Sequence, residues 1–168
     1  LALAAKVHSY TYFPTVSSAT RQALKRGMGV DPAEGGDSTT WCIGDEIGIL
    51  DLLSIKTPDT SVIIPTTLNF FKKWKVLPED TLFDRGGGGK QVADMLRSQG
   101  YPVRTIGFGE AITPPLKYRV GLPEKKEVRE EKTTYFNKRA EMYGKARLLF
   151  DPVARGGEDK VFSLPDTP

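Results

Sequence analysis

Short β-prone runs broken by acidic turns dominate the first part of the chain, and helical spacing takes over after them. Met28, Gly29 and Val30 lead into Asp31, and beyond Pro32 and the Gly35-Gly36 pair a new run begins at Ser38. Its Thr39, Thr40, Trp41, Cys42 and Ile43 suit a pleated sheet, and the glycine pair is expected to supply the positive φ angles of a hairpin. Ser38 to Gly48 and Gly48 to Thr57 predict two antiparallel strands joined near Asp45-Glu46, which completes a meander. Pro58-Asp59-Thr60 predicts a stop followed by an N-cap. Val62, Ile63, Leu68, Phe71 and Trp74 then make an apolar helical face, and Pro65 is expected to lie near its first turn or to kink it.

Glu79 to Phe83 predicts a short strand ending at Asp84, followed by Arg85 and four glycines, Gly86 to Gly89. Lys90 to Ser98 reads as a helix with Val92, Met95 and Leu96 inward, and Val103 to Phe108 as the next strand. A strand-helix-strand unit after a meander predicts a mixed α/β sheet with helices on its faces. Glu110 to Lys132 mixes charges of both signs with prolines, which predicts a solvated loop or hairpin, with a nucleic-acid contact as the alternative. Thr133 to Phe150 is the most periodic helix, and its stripe of Phe136, Ala140, Tyr143, Ala146 and Phe150 is expected to face the core. Asp151-Pro152 ends it, and Val161 to Leu164 predicts a last extended piece. Residues 1–168 read as a single domain, with 1–26 an N-terminal extension or linker of no clean period.

Composition narrows the chemistry. The 168 residues include 39% hydrophobic residues, enough for one globular core, and a formal charge of +3 neither demands nor excludes nucleic acid. One cysteine, Cys42, excludes an intrachain disulfide and a cysteine zinc cluster, and a single histidine, His8, leaves no material for a histidine metal site or a Ser-His-Asp triad. Any metal is therefore expected to be a hard cation held by oxygen. The apolar opening, soon broken by Lys6 and His8, is too short to span a membrane. No initiator Met is present, which is expected of a piece of a longer protein.

Asp31 and Asp84 share one logic: each ends a short strand and precedes a glycine turn. On neighbouring parallel strands, about 4.8 Å apart, their carboxylates would share one sheet edge. Like charges so placed repel unless a cation neutralises them, which favours Mg²⁺ or Mn²⁺. Two such ions hydrolyse phosphodiesters without histidine. A simple turn role for either aspartate is the alternative. The run GGGGK is not a phosphate loop, because Asp84 stands where the first glycine belongs and Gln91 replaces the magnesium-binding hydroxyl. Its glycines would let backbone approach a ligand or another strand, with Arg85 and Lys90 near a phosphate, or would form a purely conformational turn.

GVDPAEGGDSTTW, TLFDRGGGGKQVADML, YFNKRAEMYGKARLLF and FSLPD occur in that order between Met28 and Asp166. Together they resemble the nuclease domain of the large terminase subunit of tailed bacteriophages. The resemblance implies a ribonuclease H-like fold, an α/β mixed sheet with helices on both faces, in which three acids bind two metal ions. Carried over motif by motif, those acids are Asp31, Asp84 and Asp166, with Asp37 a further candidate and Asp151 the alternative to Asp166. The implied activity is a metal-dependent endodeoxyribonuclease that cuts concatemeric genome DNA. The implied partners are double-stranded DNA, a terminase ATPase domain, the small terminase subunit and the portal, in the host cell cytoplasm during phage assembly. With no Walker A sequence here, the ATPase domain is expected outside this chain. Other readings are another ribonuclease H-like nuclease or resolvase, an actin-like kinase or ATPase fragment, and a non-catalytic DNA-binding or assembly domain.

Overall fold

A computed structural model describes residues 24–33, 36–114, 117–120, 127–130, 135–151, 162 and 164, with only the backbone of 117–120 and 127–130. The strands β1 (Gly27–Asp31), β2 (Thr39–Gly44) and β3 (Ile49–Ile55) form the expected antiparallel meander. Asp45 makes the second turn by accepting N–H bonds from Ile47 and Gly48, both at 2.9 Å. The first turn differs from expectation. Gly36 does not have a positive φ, and Gly35 lies outside the described residues. That turn is held instead by Thr39, whose hydroxyl accepts from Ala33 N at 3.0 Å and donates to Thr57 O at 2.6 Å.

Helix α1 (Thr60–Trp74) starts at Asp59, which accepts Ser61 N–H at 2.8 Å, and carries the chain across to the other side of β1. Its buried face is Ile63, Ile64, Thr67, Phe70 and Phe71. Val62, assigned inward by spacing, is exposed, because the helix is rotated to place Thr67 under Trp41. Trp41 Nε1–H donates to Thr67 Oγ1 at 3.0 Å, and that hydroxyl donates to Ile63 O at 2.8 Å. An indole N–H buried without such a partner would cost stability.

Glu79 and Asp80 lie in a 3₁₀ turn (Pro78–Asp80) rather than a strand, since Pro78 favours the turn's first position. Strand β4 (Thr81–Asp84) runs parallel to β1, and β5 (Arg104–Ile106) parallel to β4. The sheet order is β3-β2-β1-β4-β5. Between β4 and β5, helix α2 (Gly89–Ser98) buries Val92, Ala93 and Leu96, while Met95, expected inward, is exposed. Strands β6 (Lys117–Val120) and β7 (Glu127–Glu130) pair in a separate antiparallel ribbon, which realises the hairpin expected in the charged segment.

Strand alternation separates the sheet's two faces. Met28, Val30, Trp41, Ile43 and Phe83 point to one face and are buried with residues of α1 and α2. Gly29, Asp31, Thr40, Cys42, Leu82, Asp84 and Ile106 face the other way, where Met142 of α3 (Lys138–Phe150) meets them. The stripe assigned to α3 is corrected: Phe136 is 96% and Tyr143 73% exposed, and the only buried side chain of the helix is Glu141. The buried contact of the helix is the polar one of Glu141, while Phe150 of the expected stripe meets Phe162 edge-on with ring centroids 5.7 Å apart. Among the described residues, no helix is long and apolar enough to cross a membrane.

Candidate metal and phosphodiester site

Asp31 and Asp84 are brought together by register. Val30 pairs with Phe83 across parallel strands, so the next residues, Asp31 and Asp84, end side by side on the same face. Both line one cleft of about 240 Å³ whose floor and walls are Gly29, Val30, Thr40, Cys42, Leu82, Ile106, Phe108 and Met142. The carboxylates therefore stand at the rim of an otherwise largely apolar hollow. On its other side Asp31 also lines a second hollow of about 300 Å³ with Pro32, Ala33, Asp37, Ser38 and Gly87.

The electrostatics follow from that placement. Burial is the largest cause raising the Asp31 pKa above the ordinary carboxylate value, and the negative charges of Asp84 and Asp37 raise it further. Asp31 thus faces the negative charges of Asp84 and Asp37, a repulsion that a divalent cation would relieve. The donors are all carboxylate oxygens, a set that fits Mg²⁺, Mn²⁺ or Ca²⁺ and not a soft metal.

The two acid-bearing turns are locked to each other by glycine. Gly87 has φ +57° and packs so closely on Pro32 that a Cβ there would meet the Pro32 carbonyl oxygen at 2.1 Å. A Cβ on Gly89 would meet the Asp84 carbonyl oxygen at 1.9 Å. Of the uses foreseen for this run, the structure shows close approach to another strand end. Asp84 Oδ1 also accepts the Gly86 N–H at 3.2 Å, which directs its carboxylate across the turn.

The remaining candidates are placed as follows. Asp166 lies outside the described residues. Asp151 caps the C-terminal end of α3 and lines neither hollow. Among the described residues, no three Asp, Glu, His or Cys side chains gather as metal ligands would. Arg85 is engaged by Glu110, with a further bond to Thr105 Oγ1 at 3.4 Å. Lys90 is exposed on the first turn of α2, with no ion-pair partner among the described residues. Sequence spacing missed Cys42, Phe108 and Met142 as cleft residues, because each is joined to the aspartates only by tertiary structure. It also missed Glu141, for which a signal existed: Lys138, Glu141 and Lys145 have the i, i+3 and i, i+4 spacing of helix ion pairs.

No protein-family model matches the chain, and no curated protein matches it in sequence. Solved structures do. A lysine-to-alanine variant of the large terminase subunit of bacteriophage Sf6, with calcium, aligns at TM-score 0.56 and 14% identity over 94% of this chain and 72% of that one. The Sf6 nuclease domain with manganese and β-thujaplicinol, in the same kind of variant, aligns at TM-score 0.53 and 15% identity over the same shares. The nuclease domain of the large terminase of bacteriophage SPP1, with bound Mn, aligns at TM-score 0.40 and 16% identity over 58% of this chain, which spans 56% of that domain. The open five-stranded mixed sheet with its helices is therefore a ribonuclease H-like fold, and it is the fold of the nuclease domains of bacteriophage large terminase subunits.

Proposed function

We propose that this chain is the nuclease domain of a viral DNA-packaging terminase, a metal-dependent endonuclease that hydrolyses phosphodiesters of double-stranded DNA. The observation that carries the reading is the pairing of Asp31 and Asp84 at adjacent parallel strand ends, on one face and one cleft. The fold shared with the Sf6 nuclease domains supports it. Asp31 and Asp84 would hold Mg²⁺ or Mn²⁺, with Asp37 beside them and Asp166 as the third acid for a two-ion site. Bound there, such ions polarise a phosphodiester oxygen and lower the pKa of water.

The chain's own residues supply geometry and exclusion of solvent. Strand ends fix the two carboxylates more tightly than loops would, and the Gly87–Pro32 contact keeps their turns from separating. Leu82, Ile106, Phe108 and Met142 line the inner side of the carboxylates with apolar surface, which would lower the local dielectric and strengthen their attraction for a cation. Lys90 is free to meet a phosphate of the DNA backbone, whereas Arg85 would have to share or exchange its partner Glu110 to do so. A contact of this kind positions DNA without reading sequence, which suits cutting of concatemeric genome DNA directed by the packaging machinery. That machinery, in this reading, comprises the ATPase domain, the small terminase subunit and the portal, acting in the host cytoplasm.

Incubation of supercoiled plasmid with Mn²⁺, Mg²⁺ or EDTA tests the proposal. Nicking and linearisation are expected with the metals, with EDTA or Asp31→Asn or Asp84→Asn reducing cleavage by at least about a hundred-fold. Cleavage that survives EDTA or both substitutions would refute it.

A further inference from the structure

Helix α3 is joined to the rest of the protein by a compact polar contact. Glu141 is 4% exposed. Its Oε2 accepts the Thr113 backbone N–H at 2.8 Å and the Lys138 ammonium at 2.8 Å, while Oε1 accepts from Lys145 at 2.6 Å. Lys138 Nζ also donates to Thr113 Oγ1 at 2.9 Å, so one ammonium bridges helix and loop. Two N–H groups from the helix's first turn complete the joint: Lys138 N donates to Glu110 O at 2.9 Å, and Arg139 N to Phe108 O at 3.1 Å. These groups have no partner inside the helix, so the loop carbonyls satisfy them. Asn137 caps the same turn by accepting Ala140 N–H at 2.9 Å, and the Arg139 guanidinium lies 4.7 Å from the Phe108 ring centroid.

What is held in this way is the loop from Gly107 to Thr113, and the loop reaches the cleft twice. Phe108 lines the hollow under Asp31 and Asp84, together with Met142, the residue after Glu141. Glu110 holds Arg85, the residue after Asp84. A carboxylate that is buried among two ammoniums and an N–H is a far stiffer tie than a solvated ion pair. Among the described residues Glu141 is the only buried side chain of the helix, Tyr143 and Leu148 are exposed, and Phe150 meets Phe162 edge-on with ring centroids 5.7 Å apart.

We propose that Glu141 is a positioning residue of the Asp31–Asp84 cleft: it clamps the Gly107–Thr113 loop to α3 and so seats Phe108 and Met142 as the wall beside the two carboxylates. The inference takes its catalytic meaning from the nuclease reading, but the clamp can be tested apart from it. Cys42 is the chain's only cysteine and lines the same cleft as Phe108 and Met142. Its alkylation by iodoacetamide therefore reports access to the cleft without metal, DNA or turnover. Burial also raises the Cys42 thiol pKa, so opening of the wall accelerates the reaction both through access and through a larger thiolate fraction.

Glu141→Gln keeps the shape of the side chain and an acceptor for Thr113, so it preserves the fold while removing the charge. It is expected to speed Cys42 alkylation by about ten-fold and to accelerate amide exchange across the Gly107–Thr113 loop. Lys145→Met is the control, because Lys145 bonds Glu141 Oε1 from the next turn of the helix, whereas the Thr113 N–H and the Lys138 ammonium that bridge to the loop both bond Oε2. It should lower the melting temperature without changing the Cys42 rate. Equal Cys42 rates in wild type and folded Glu141→Gln would overturn the proposal, as would a Lys145→Met variant as reactive as Glu141→Gln. In a parallel plasmid assay, Glu141→Gln should lower kcat more than it raises KM. If Cys42 responds as expected but wild type does not cut, the clamp stands and the nuclease reading falls.

Discussion

The two faces of the sheet are made by alternate residues of the same strands and have opposite characters. Toward α1 and α2 the strands present Met28, Val30, Trp41, Ile43 and Phe83, each no more than 3% exposed. Toward α3 the intervening positions present Gly29, Asp31, Cys42, Leu82 and Asp84 to a cleft. The period-2 alternation of a strand thus gives a sealed core to one face and an acid-rimmed cleft to the other, one residue apart. A carboxylate is tolerable at Asp31 and Asp84 because both strand ends keep contact with solvent, Asp31 being exposed and Asp84 half-buried.

Substitution on the sealed face should break this division most strongly. Trp41→Ala removes the largest fully buried side chain and leaves Thr67 Oγ1 without its donor. A loss of about 3–5 kcal/mol is expected by urea denaturation. Next in size is Gly89→Ala, where the new methyl collides with the Asp84 carbonyl and cannot be absorbed by a side-chain movement. A loss of about 1–3 kcal/mol is expected, and Asp84 should shift with it, so Mn²⁺ affinity falls as well. Trp41→Ala, by contrast, should leave the metal affinity of the protein that remains folded unchanged.

The smallest of these effects has opposite signs at Asp31 and Glu141. Asp31 has a raised pKa in the folded protein, because burial and then Asp84 and Asp37 disfavour its charge. Between the unfolded and folded pKa values the folded state binds more protons, so stability decreases as pH rises through that window. In EDTA, Asp31→Asn should therefore be more stable than wild type at neutral pH, with the difference vanishing below the ordinary aspartate range. Glu141 should show the reverse. Its pKa is held far below the usual range by Lys138, then Lys145 and Thr113, so its stabilisation is present above the ordinary glutamate pKa and lost on acidification. Urea denaturation of Asp31→Asn and Glu141→Gln across pH measures both slopes.

How much of this was legible in the chain depended on how local the cause was. The meander, the Asp59 cap and the strand ends at Asp31 and Asp84 follow from β-propensity, capping and turn residues within a few positions of each other, and all were readable. The parallel neighbourhood of Asp31 and Asp84 required only the crossover through α1. Helix α3 departs from expectation for the same reason in reverse. Its aromatic spacing is local, but its seating is set by Thr113, Glu110 and Phe108, residues roughly 25–31 positions away that no periodicity connects to it. The Gly35-Gly36 pair predicts a positive φ that Gly36 does not have, and Thr39 with its two hydrogen bonds holds that turn.

On the proposed function, Asp31 and Asp84 act as one cation-binding pair. Calorimetric titration of Mn²⁺ into wild type, Asp31→Asn, Asp84→Asn and the double variant measures it directly. Binding by wild type is expected, with either single substitution weakening it about as much as the double one, because half of a shared site holds little. Absence of Mn²⁺ binding in wild type, or single variants that bind as tightly as wild type, would contradict the account.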